Sequence, residues 1–229
     1  MKIAVIGTGM VGRSISAKLV QVGHEVVMGT RDVQKTLAQN GTDVFGNVPL
    51  AQWQGGNNKV TLKSITEAAK FAELLFVCTH GSVAKNALDL ADFGDLKSKT
   101  VIDVSNGLVF GAEGEQPSLS PVNTTSIGEK LQKAFPEAHI VKTLNNIQHT
   151  VMVNPSLIEG QHNVFMSGNN KEAKSIAQKI LNSFGWESEQ VIDLGNITYS
   201  RAMEMNVLLW WRMYEILGTG EFNFQLMKK

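Results

Sequence analysis

A glycine-rich turn near the start of the chain constrains the fold more than any other stretch of the sequence. It reads Gly7-Thr8-Gly9-Met10-Val11-Gly12, follows an apolar run over residues 3–6, and leads into apolar residues at helical spacing. In such a unit the first glycine permits a tight turn, the second lets a pyrophosphate approach the backbone, and the third lets helix and strand pack closely. The alternative is a turn without a ligand, but a second strand over residues 25–29 follows at the spacing of a βαβ unit. The stretch therefore predicts a dinucleotide site, with the phosphates at the helix N-terminus.

Two residues at the end of the second strand, Thr30 and Arg31, indicate which dinucleotide binds. Enzymes that use NAD place Asp or Glu about 20 residues past the glycines, where the carboxylate bonds the ribose 2′-hydroxyl. A carboxylate would repel a 2′-phosphate, whereas an arginine pairs with it and a threonine adds a hydroxyl. We therefore predict NADP; the alternative role of Arg31 is a solvated surface charge. Asp32 is predicted to cap the following helix.

Composition and charge exclude several classes of partner. The chain has 21 Lys and Arg and 21 Asp and Glu, so its net charge is zero, and we expect neither nucleic acid nor a membrane surface as a partner. The single cysteine, Cys78, cannot form an intrachain disulfide and favours a reducing compartment. Since the sequence shows no N-terminal signal and no apolar run of roughly 18 residues, we expect a cytoplasmic protein.

Polar residues at the carboxyl ends of further strands are candidate contacts to the cofactor, because ligands of open α/β sheets lie beyond these ends. Thr79 and His80 follow the apolar run over residues 74–78, and Ser105 and Asn106 follow the run over residues 101–104. A strand over residues 140–145, ending in Asn145, reaches the same edge. From the motifs alone, the predicted cofactor-binding residues are Gly7, Thr8, Gly9, Met10, Val11, Gly12, Thr30, Arg31, Thr79, His80, Ser105 and Asn106.

Some of these residues have alternative roles. His80 also suits an ordinary helix start, and Asn106 with Gly107 also suits a turn. Lys142 is a candidate general acid, with a surface or strand-end lysine as its alternative. The sequence contains no Gly-x-Ser-x-Gly elbow, no pair of histidines spaced for a metal and no Tyr-x-x-x-Lys pair. We therefore predict no metal site and no short-chain alcohol dehydrogenase mechanism.

The alternation of strands and helices predicts an α/β fold: a Rossmann-type, doubly wound, mostly parallel sheet over residues 1–195, with antiparallel pairing allowed among the later strands. Ser64 with Glu67, and Ser126 with Glu129, form two predicted capping boxes at helix starts. Residues 40–59 read as a loop that covers one edge, and residues 108–124 as a long functional loop.

The segment over residues 196–229 is predicted to be a helical appendage. Its helix, over residues 198–217, carries apolar side chains on most faces, so it must be buried all round, and Gly218 is placed to end it. A single sheet face cannot cover such a helix. We therefore predict a homodimer that meets through it, with cover by the loop over residues 40–59 as the alternative.

Several separated stretches resemble one family. They are 6–12, 23–32, 141–145, 183–186, 191–195 and 201–205, which include Thr-Leu-Asn at 143–145 and Ser-Phe-Gly-Trp at 183–186. On these stretches the chain is identified as a member of the NADPH-dependent coenzyme F420 reductase family, within the wider pyrroline-5-carboxylate-reductase-like superfamily.

The resemblance implies that NADP binds at the Gly7–Gly12 turn and at Thr30 and Arg31. It also implies a second redox partner, coenzyme F420 or a flavin, over the nicotinamide near Asn145 and the C-terminal helix. Asn145 is thereby added to the cofactor-binding residues, although the family is expected to have a histidine at that position. The start of the helix, at residues 199–201, is predicted to form the opposite wall of this pocket. The alternatives are a reductase of a small imine or carbonyl metabolite and a non-catalytic NADPH-binding sensor.

Overall fold

The structure, a computed structural model, describes residues 1–43, 46–112 and 115–228. Ten strands lie in this described part of the chain. They are β1 (Lys2–Ile6), β2 (Glu25–Thr30), β3 (Thr61–Ser64), β4 (Leu74–Val77), β5 (Thr100–Asp103), β6 (Leu108–Val109), β7 (Ser118–Leu119), β8 (His139–Thr143), β9 (Val164–Gly168) and β10 (Val191–Asp193).

The helices alternate with these strands. They are α1 (Met10–Gln21), α2 (Val33–Leu37), α3 (Leu50–Gly56), α4 (Ile65–Phe71), α5 (Gly81–Leu88), α6 (Phe93–Leu96), α7 (Ile127–Ala134), α8 (His149–Val153), α9 (Lys171–Phe184) and α10 (Ser200–Leu217). Short 3₁₀ helices lie at Pro155–Leu157, Ser188–Gln190 and Ile197–Tyr199.

Eight of the strands form one sheet, in the order β10-β9-β8-β5-β4-β1-β2-β3. Neighbouring strands in this sheet are parallel except β8 and β9, which pair antiparallel. The prediction of a doubly wound, mostly parallel Rossmann-type sheet is confirmed. The order places the carboxyl ends of β1, β4, β5 and β8 side by side, so the segments after these strands meet at one edge.

Both faces of the sheet are buried under helices. Because successive side chains of a strand point to opposite faces, each strand contributes to both sides of the core. On β1, Ile3 and Val5 join one core cluster with α1 and α9, whereas Ala4 and Ile6 join a second cluster with α4, α5 and α7. The four residues have no exposed area. The first strand is therefore central, which fixes the glycine-rich turn in the middle of the sheet edge.

Two predicted loops contain regular structure. Helix α3 lies within residues 40–59, and β6 and β7 pair antiparallel within residues 108–124. These elements are short and owe their order to contacts with distant parts of the chain, so local patterns indicate them weakly. The two predicted loops also include residues 44, 45, 113 and 114, which lie outside the described residues.

The predicted helix caps are confirmed in two cases and differ in the third. Ser64 and Glu67 form a complete capping box, and Asp32 accepts a hydrogen bond from the backbone N–H of Lys35 at 2.9 Å. Ser126 caps α7 by accepting from the backbone N–H of Glu129 at 3.1 Å. The Glu129 carboxylate also accepts from the Ser126 hydroxyl, and it differs from Glu67 in accepting from a distant arginine as well.

Helix α10 follows β10 and ends at Gly218, which adopts the left-handed conformation with φ of 66°. One side of its first two turns packs on the chain, where Met203 and Val207 are buried. Its distal half is open in the single chain, since Leu209 is 52% and Ile216 is 60% exposed. The single chain therefore does not bury α10 all round. The domain boundary between residues 195 and 196 remains a prediction.

Candidate functional site

The glycine-rich turn has a different steric environment at each glycine. Gly7 has φ of +121°, and a Cβ atom there would lie 2.7 Å from the carbonyl oxygen of Cys78. A Cβ atom on Gly12 would lie only 2.1 Å from the carbonyl oxygen of Gly7, so this glycine permits α1 to pack on the turn. At Gly9 no atom lies within 4 Å of the added Cβ. The open space at Gly9 fits a ligand that approaches the backbone.

The N-terminus of α1 is free to bind an anion. Gly9 is its N-cap and provides no side-chain hydrogen bond, and the first turn holds no acidic residue. The first N–H groups of a helix lack partners within the helix and carry partial positive charge. The arrangement thus matches the phosphate-binding geometry that the sequence predicts.

A cavity of about 340 Å³ opens in front of this turn. Of the predicted site residues, it brings together Gly7, Thr8, Gly9, Thr30, Arg31, Thr79 and His80. Met10, Val11 and Gly12 belong to α1 and do not line it, and neither do Ser105, Asn106 and Asn145. The remaining lining residues, which the sequence analysis did not single out for this role, are Ile6, Gly29, Ile65, Cys78, Val83, Asn86 and Ala87.

Arg31 is exposed at the rim of this cavity and pairs with no carboxylate among the described residues. The hydroxyl of Thr30 is hydrogen-bonded to that of Thr36 at 2.8 Å, which holds the end of β2 against α2. Asp32 is engaged as the cap of α2. The cation at the rim is therefore available to an anionic group, whereas the neighbouring carboxylate is occupied.

Thr79 and His80 form the wall of the cavity after β4. The Thr79 hydroxyl is buried and has no hydrogen-bond partner in the described protein, so its bonding capacity is open to a ligand. His80 is the N-cap of α5: its Nδ1 contacts the Ser82 hydroxyl at 2.8 Å, and its Nε2 contacts the carbonyl oxygen of Leu108 at 2.7 Å. The helix-start role of His80 is confirmed, and the same side chain lines the cavity.

Asn106 and Asn145 join the ends of β5 and β8. Each amide group donates to the other residue: Asn145 Nδ2 to Asn106 Oδ1 at 2.9 Å, and Asn106 Nδ2 to the Asn145 carbonyl oxygen. Asn145 Nδ2 also donates to the carbonyl oxygen of Met203 in α10 at 3.0 Å. The preceding residue, Leu144, has φ of +62°, a conformation that non-glycine residues adopt rarely and at a cost. Asn145 therefore contacts α10 directly, so the two are not opposite walls of an open pocket at this point.

Lys142 lies one residue before the end of β8 but is not a surface lysine, so that part of the alternative is wrong. Its side chain is fully buried, and its ammonium group contacts Asp103 Oδ2 and Glu204 Oε1, both at 2.9 Å, as well as the carbonyl oxygen of Ser105. Burial alone would lower the pKa of Lys142, but the carboxylates of Asp103 and Glu204 outweigh it and raise the pKa above its ordinary value. A lysine held in this way keeps its proton, which opposes the predicted role as a general acid.

We call Asp103, Lys142 and Glu204 the buried ion cluster, and sequence reasoning missed it. Asp103 accepts hydrogen bonds from the backbone N–H and the hydroxyl of Ser105, at 2.9 and 2.6 Å. Asp103 and Lys142 are also direct partners in the β5–β8 register. The signal available in the sequence was one charged residue in each of two apolar strands and a carboxylate in an apolar helix.

A second cavity, of about 640 Å³, lies beside the first turns of α10. Arg201 lines it, while its guanidinium donates to both carboxylate oxygens of Glu129, and Tyr199 is exposed nearby. Ser200, predicted as part of the pocket wall, is instead fully buried and hydrogen-bonded to Ser167. The other lining residues are Phe165, Leu194, Ala202, Met203, Met205 and Asn206.

Part of α10 is covered by segments that the sequence analysis did not assign to it. Phe110, after β6, packs edge-on against Trp211 with ring centroids 5.1 Å apart. Phe222, in the segment after α10, stacks on Trp210 at 5.5 Å. The segment over residues 46–59, the predicted alternative cover, packs against α1 instead, where the Arg13 guanidinium donates to the Val48 carbonyl oxygen.

Among residues 1–43, 46–112 and 115–228, none of the helices combines the length and the apolar character that a membrane span requires. The same residues include no group of three or more His, Cys, Asp or Glu side chains that could hold a metal ion.

Comparison with known proteins agrees with this geometry. A family model described as "NADP oxidoreductase coenzyme F420-dependent" matches residues 2–107. The crystal structure of a protein from Arthrobacter sp. FB24, described as an F420-dependent NADP-reductase, is 42% identical, covers all of both chains and superposes with a TM-score of 0.93. The F420-dependent NADP reductase of Methanocaldococcus jannaschii is 25% identical over 96% of each chain.

A second kind of relative is much longer. The metalloreductase STEAP3 of Rattus norvegicus is 27% identical over 96% of this chain, but the match covers only 40% of the rat protein. Taken together with the complete match to the Arthrobacter structure, these findings establish the assignment: the chain belongs to the family of coenzyme F420-dependent NADP oxidoreductases.

Proposed function

We propose that this protein transfers a hydride between NADP(H) and a second small redox partner, coenzyme F420 or a flavin. One observation carries the proposal: the open space at Gly9, the free N-terminus of α1 and the unpaired cation of Arg31 border the same cavity. A dinucleotide with a 2′-phosphate has anionic groups for both positions. The names of the Arthrobacter and Methanocaldococcus proteins described above support the same cofactor and partner.

The proposed binding residues divide into two groups. Gly7, Thr8 and Gly9 hold the pyrophosphate, with Thr30 and Arg31 at the 2′-phosphate. Thr79, His80, Asn106 and Asn145 lie toward the nicotinamide, because they follow β4, β5 and β8 at the same sheet edge. Two groups in this second set, the Thr79 hydroxyl and the Asn145 Oδ1 atom, are buried without a hydrogen-bond partner among the described residues and so have bonding capacity to spare.

Two groups at and near the cavity are poor candidates for acid–base or nucleophilic chemistry. Burial, with the nearby Asp103 carboxylate, raises the pKa of the Cys78 thiol, so that the sulfur stays protonated and is a poor nucleophile. Lys142 keeps its proton within the buried ion cluster. Exchange of a hydride between two planar rings depends mainly on positioning, and it requires neither a nucleophile nor a strong acid from this wall.

The test of cofactor choice is the variant Arg31→Ala. We expect wild type to bind NADPH more tightly than NADH, and the substitution to reduce that ratio about tenfold to a hundredfold, because a charged pair is lost. Lys35→Ala, in the exposed part of α2, serves as the matched control for loss of a cation. A wild type without preference for NADPH, or an unchanged ratio in Arg31→Ala, would contradict the assignment.

The test of the acceptor is NADPH oxidation with coenzyme F420, FMN, a ferric chelate and pyrroline-5-carboxylate offered separately. Turnover with F420 or FMN supports the proposal. Turnover with pyrroline-5-carboxylate alone would point to a small imine as substrate, and reduction of the ferric chelate alone would place this protein nearer to the metalloreductases. Tight NADPH binding with no turnover would favour a sensor.

We also propose that the protein acts as a homodimer in the cytoplasm, with α10 at the subunit contact. The open apolar side chains of its distal half, Leu209, Ile216 and Leu217 among them, support this contact, and Cys78 is a free thiol. Light scattering at micromolar concentration tests the dimer. A monomeric mass would overturn the claim.

A further inference from the structure

The buried ion cluster has contacts on three separate segments of the chain. Lys142 lies on β8, Asp103 lies on β5, and Glu204 lies on α10. Glu204 in addition accepts from the first two backbone N–H groups of α7: that of Ile127 at 2.8 Å and that of Gly128 at 3.1 Å. The cluster therefore ties the start of α7 and the second turn of α10 to the middle of the sheet.

These contacts close a ring with the residues at the end of β5 and β8. Lys142 donates to the Ser105 carbonyl oxygen, Ser105 is followed by Asn106, and Asn106 pairs with Asn145. The amide of Asn145 donates to Met203, whose chain neighbour Glu204 returns to Lys142. Each step is a covalent neighbour or a contact described above, so displacing one member displaces the others.

A contribution to the stability of the fold does not by itself explain why these three charged residues are buried together. Charges removed from water lose hydration, and apolar side chains of similar size often stabilise a core equally well. The cluster also contains two carboxylates and one ammonium group, so one negative charge is balanced only by hydrogen bonds and the α7 N-terminus. What it does provide is a single fixed arrangement of Ser105, Asn106 and Asn145.

We propose that Lys142 and Glu204 are positioning residues for hydride transfer. They hold the Asn106–Asn145 pair at the ends of β5 and β8, the side proposed to face the nicotinamide, and keep α10 in contact with this pair. The inference rests on the proposed function, which is what assigns the Asn106–Asn145 pair to the nicotinamide side. It assigns no chemistry to Lys142 or Glu204 themselves, since both are fully engaged within the protein.

The proposal predicts a split between binding and chemistry. The residues proposed to hold the phosphates are Gly9, between β1 and α1, and Arg31, directly after β2, and neither is among the contacts of the cluster. Loosening the cluster should therefore change NADPH affinity by about twofold or less, as is typical of distant sites. Misplacement at a reacting centre can cost about a hundredfold in rate, so hydride transfer should slow by about tenfold to a hundredfold.

The experiment uses the double variant Lys142→Met/Glu204→Gln, which keeps the net charge because one cation and one anion are removed together. The matched control is Lys174→Met, which breaks the partly buried pair between Lys174 and Asp193, 2.6 Å long and distant from the site. For each protein one measures the thermal midpoint, NADPH affinity, the single-turnover rate with the active acceptor, and the primary deuterium isotope effect with NADPH labelled at the transferred position.

We expect the double variant to bind NADPH normally, to transfer hydride slowly and to show a larger isotope effect than wild type, while the control loses stability only. An unchanged transfer rate per bound NADPH, or a rate that falls in step with the thermal midpoint in both variants, would overturn the proposal. If the double variant does not fold, Glu204→Gln alone tests it, because an amide in place of one oxygen opposes an N–H of α7. In Glu204→Gln we likewise expect normal NADPH affinity and slower hydride transfer, with a smaller decrease in rate than in the double variant.

A wild type that reduces none of the acceptors would defeat the proposed function and not this inference. In that case the fluorescence of bound NADPH, which reports the surroundings of the nicotinamide, replaces the rate. We expect its emission to change in the double variant and to stay at the wild-type value in Lys174→Met. Identical emission in all three proteins would refute the positioning role.

Discussion

The two regions proposed to bind the cofactor are built in different ways. The proposed phosphate site is made by backbone geometry within the first thirty-one residues, where glycines set a turn and a helix N-terminus supplies the N–H groups. The region proposed to face the nicotinamide, at the ends of β5 and β8, is made by side chains from distant segments: Asn106 and Asn145 are 39 positions apart, and Ile127 and Glu204 are 77 apart. The first region therefore depends on local sequence, whereas the second depends on long-range packing. Variants in the two regions should fail in different ways.

The largest effect is expected from Lys142→Met alone. This substitution leaves Asp103 and Glu204 as two buried carboxylates without their cation, which costs about 3–5 kcal/mol of unfolding free energy. The double variant that also replaces Glu204 should lose less. Chemical denaturation of the three proteins measures the difference, and a single variant as stable as the double one would contradict the description of the cluster.

The contribution of Lys142 to stability depends on pH because its pKa is raised in the folded protein. A cation whose pKa is higher in the folded state stabilises fully below its unfolded value, about 10.4 for lysine, and less as pH rises through the folded value. The contribution of Lys142 to the unfolding free energy of the wild type should therefore be constant near neutral pH and decrease only in the strongly alkaline range. A loss of wild-type stability that begins below pH ~9 would point to another group.

A middle-sized effect separates two glycines of the same turn. Gly12→Ala forces a methyl group against the Gly7 carbonyl oxygen and should cost about 1–3 kcal/mol of unfolding free energy. Gly9→Ala meets no protein atom, so stability should change by about 0.5 kcal/mol or less, while NADPH affinity falls about tenfold or more because the methyl occupies the ligand's space. Thermal melts and NADPH titrations of both variants test this contrast. Equal losses of stability in Gly9→Ala and Gly12→Ala would contradict it.

The smallest effect is expected from Glu129→Gln, which breaks the contact between α7 and Arg201 of α10. The hydrogen bonds from Arg201 lower the pKa of Glu129, despite the opposing effect of burial. A carboxylate of lowered pKa stabilises above its unfolded value, about 4.3, and loses that contribution as pH falls through the folded value. The thermal midpoints of wild type and variant should differ slightly at neutral pH and converge in acid. A difference in thermal midpoint that grows as the pH falls would contradict this prediction.

The parts of the fold predicted from sequence are those whose signals are local. The turn over residues 7–12, the capping box at Ser64 and the buried run before Thr79 each carry their information within a few neighbours. The binding role of the predicted site residues stays a prediction, although the structure gathers seven of them around one cavity.

What sequence reasoning missed depends on pairing between distant elements. Lys142 was interpreted by its own neighbours, whereas its surroundings are set by the β5–β8 register and by Glu204 on α10. The cover on α10 was likewise missed, because Phe110 and Phe222 reach Trp211 and Trp210 only after the sheet has formed. Periodicity indicates that a helix needs cover but not which segment provides it.

A single change of strand direction, at β9, sets the path of the chain toward the site. Because β9 and β10 run against β8, the chain leaves β10 at the sheet edge opposite the glycine-rich turn. The 3₁₀ helix and α10 must then turn back past β8, and Met203 meets Asn145 within the first turn of α10. The direction of one strand thus brings α10 back against the residues that follow β5 and β8.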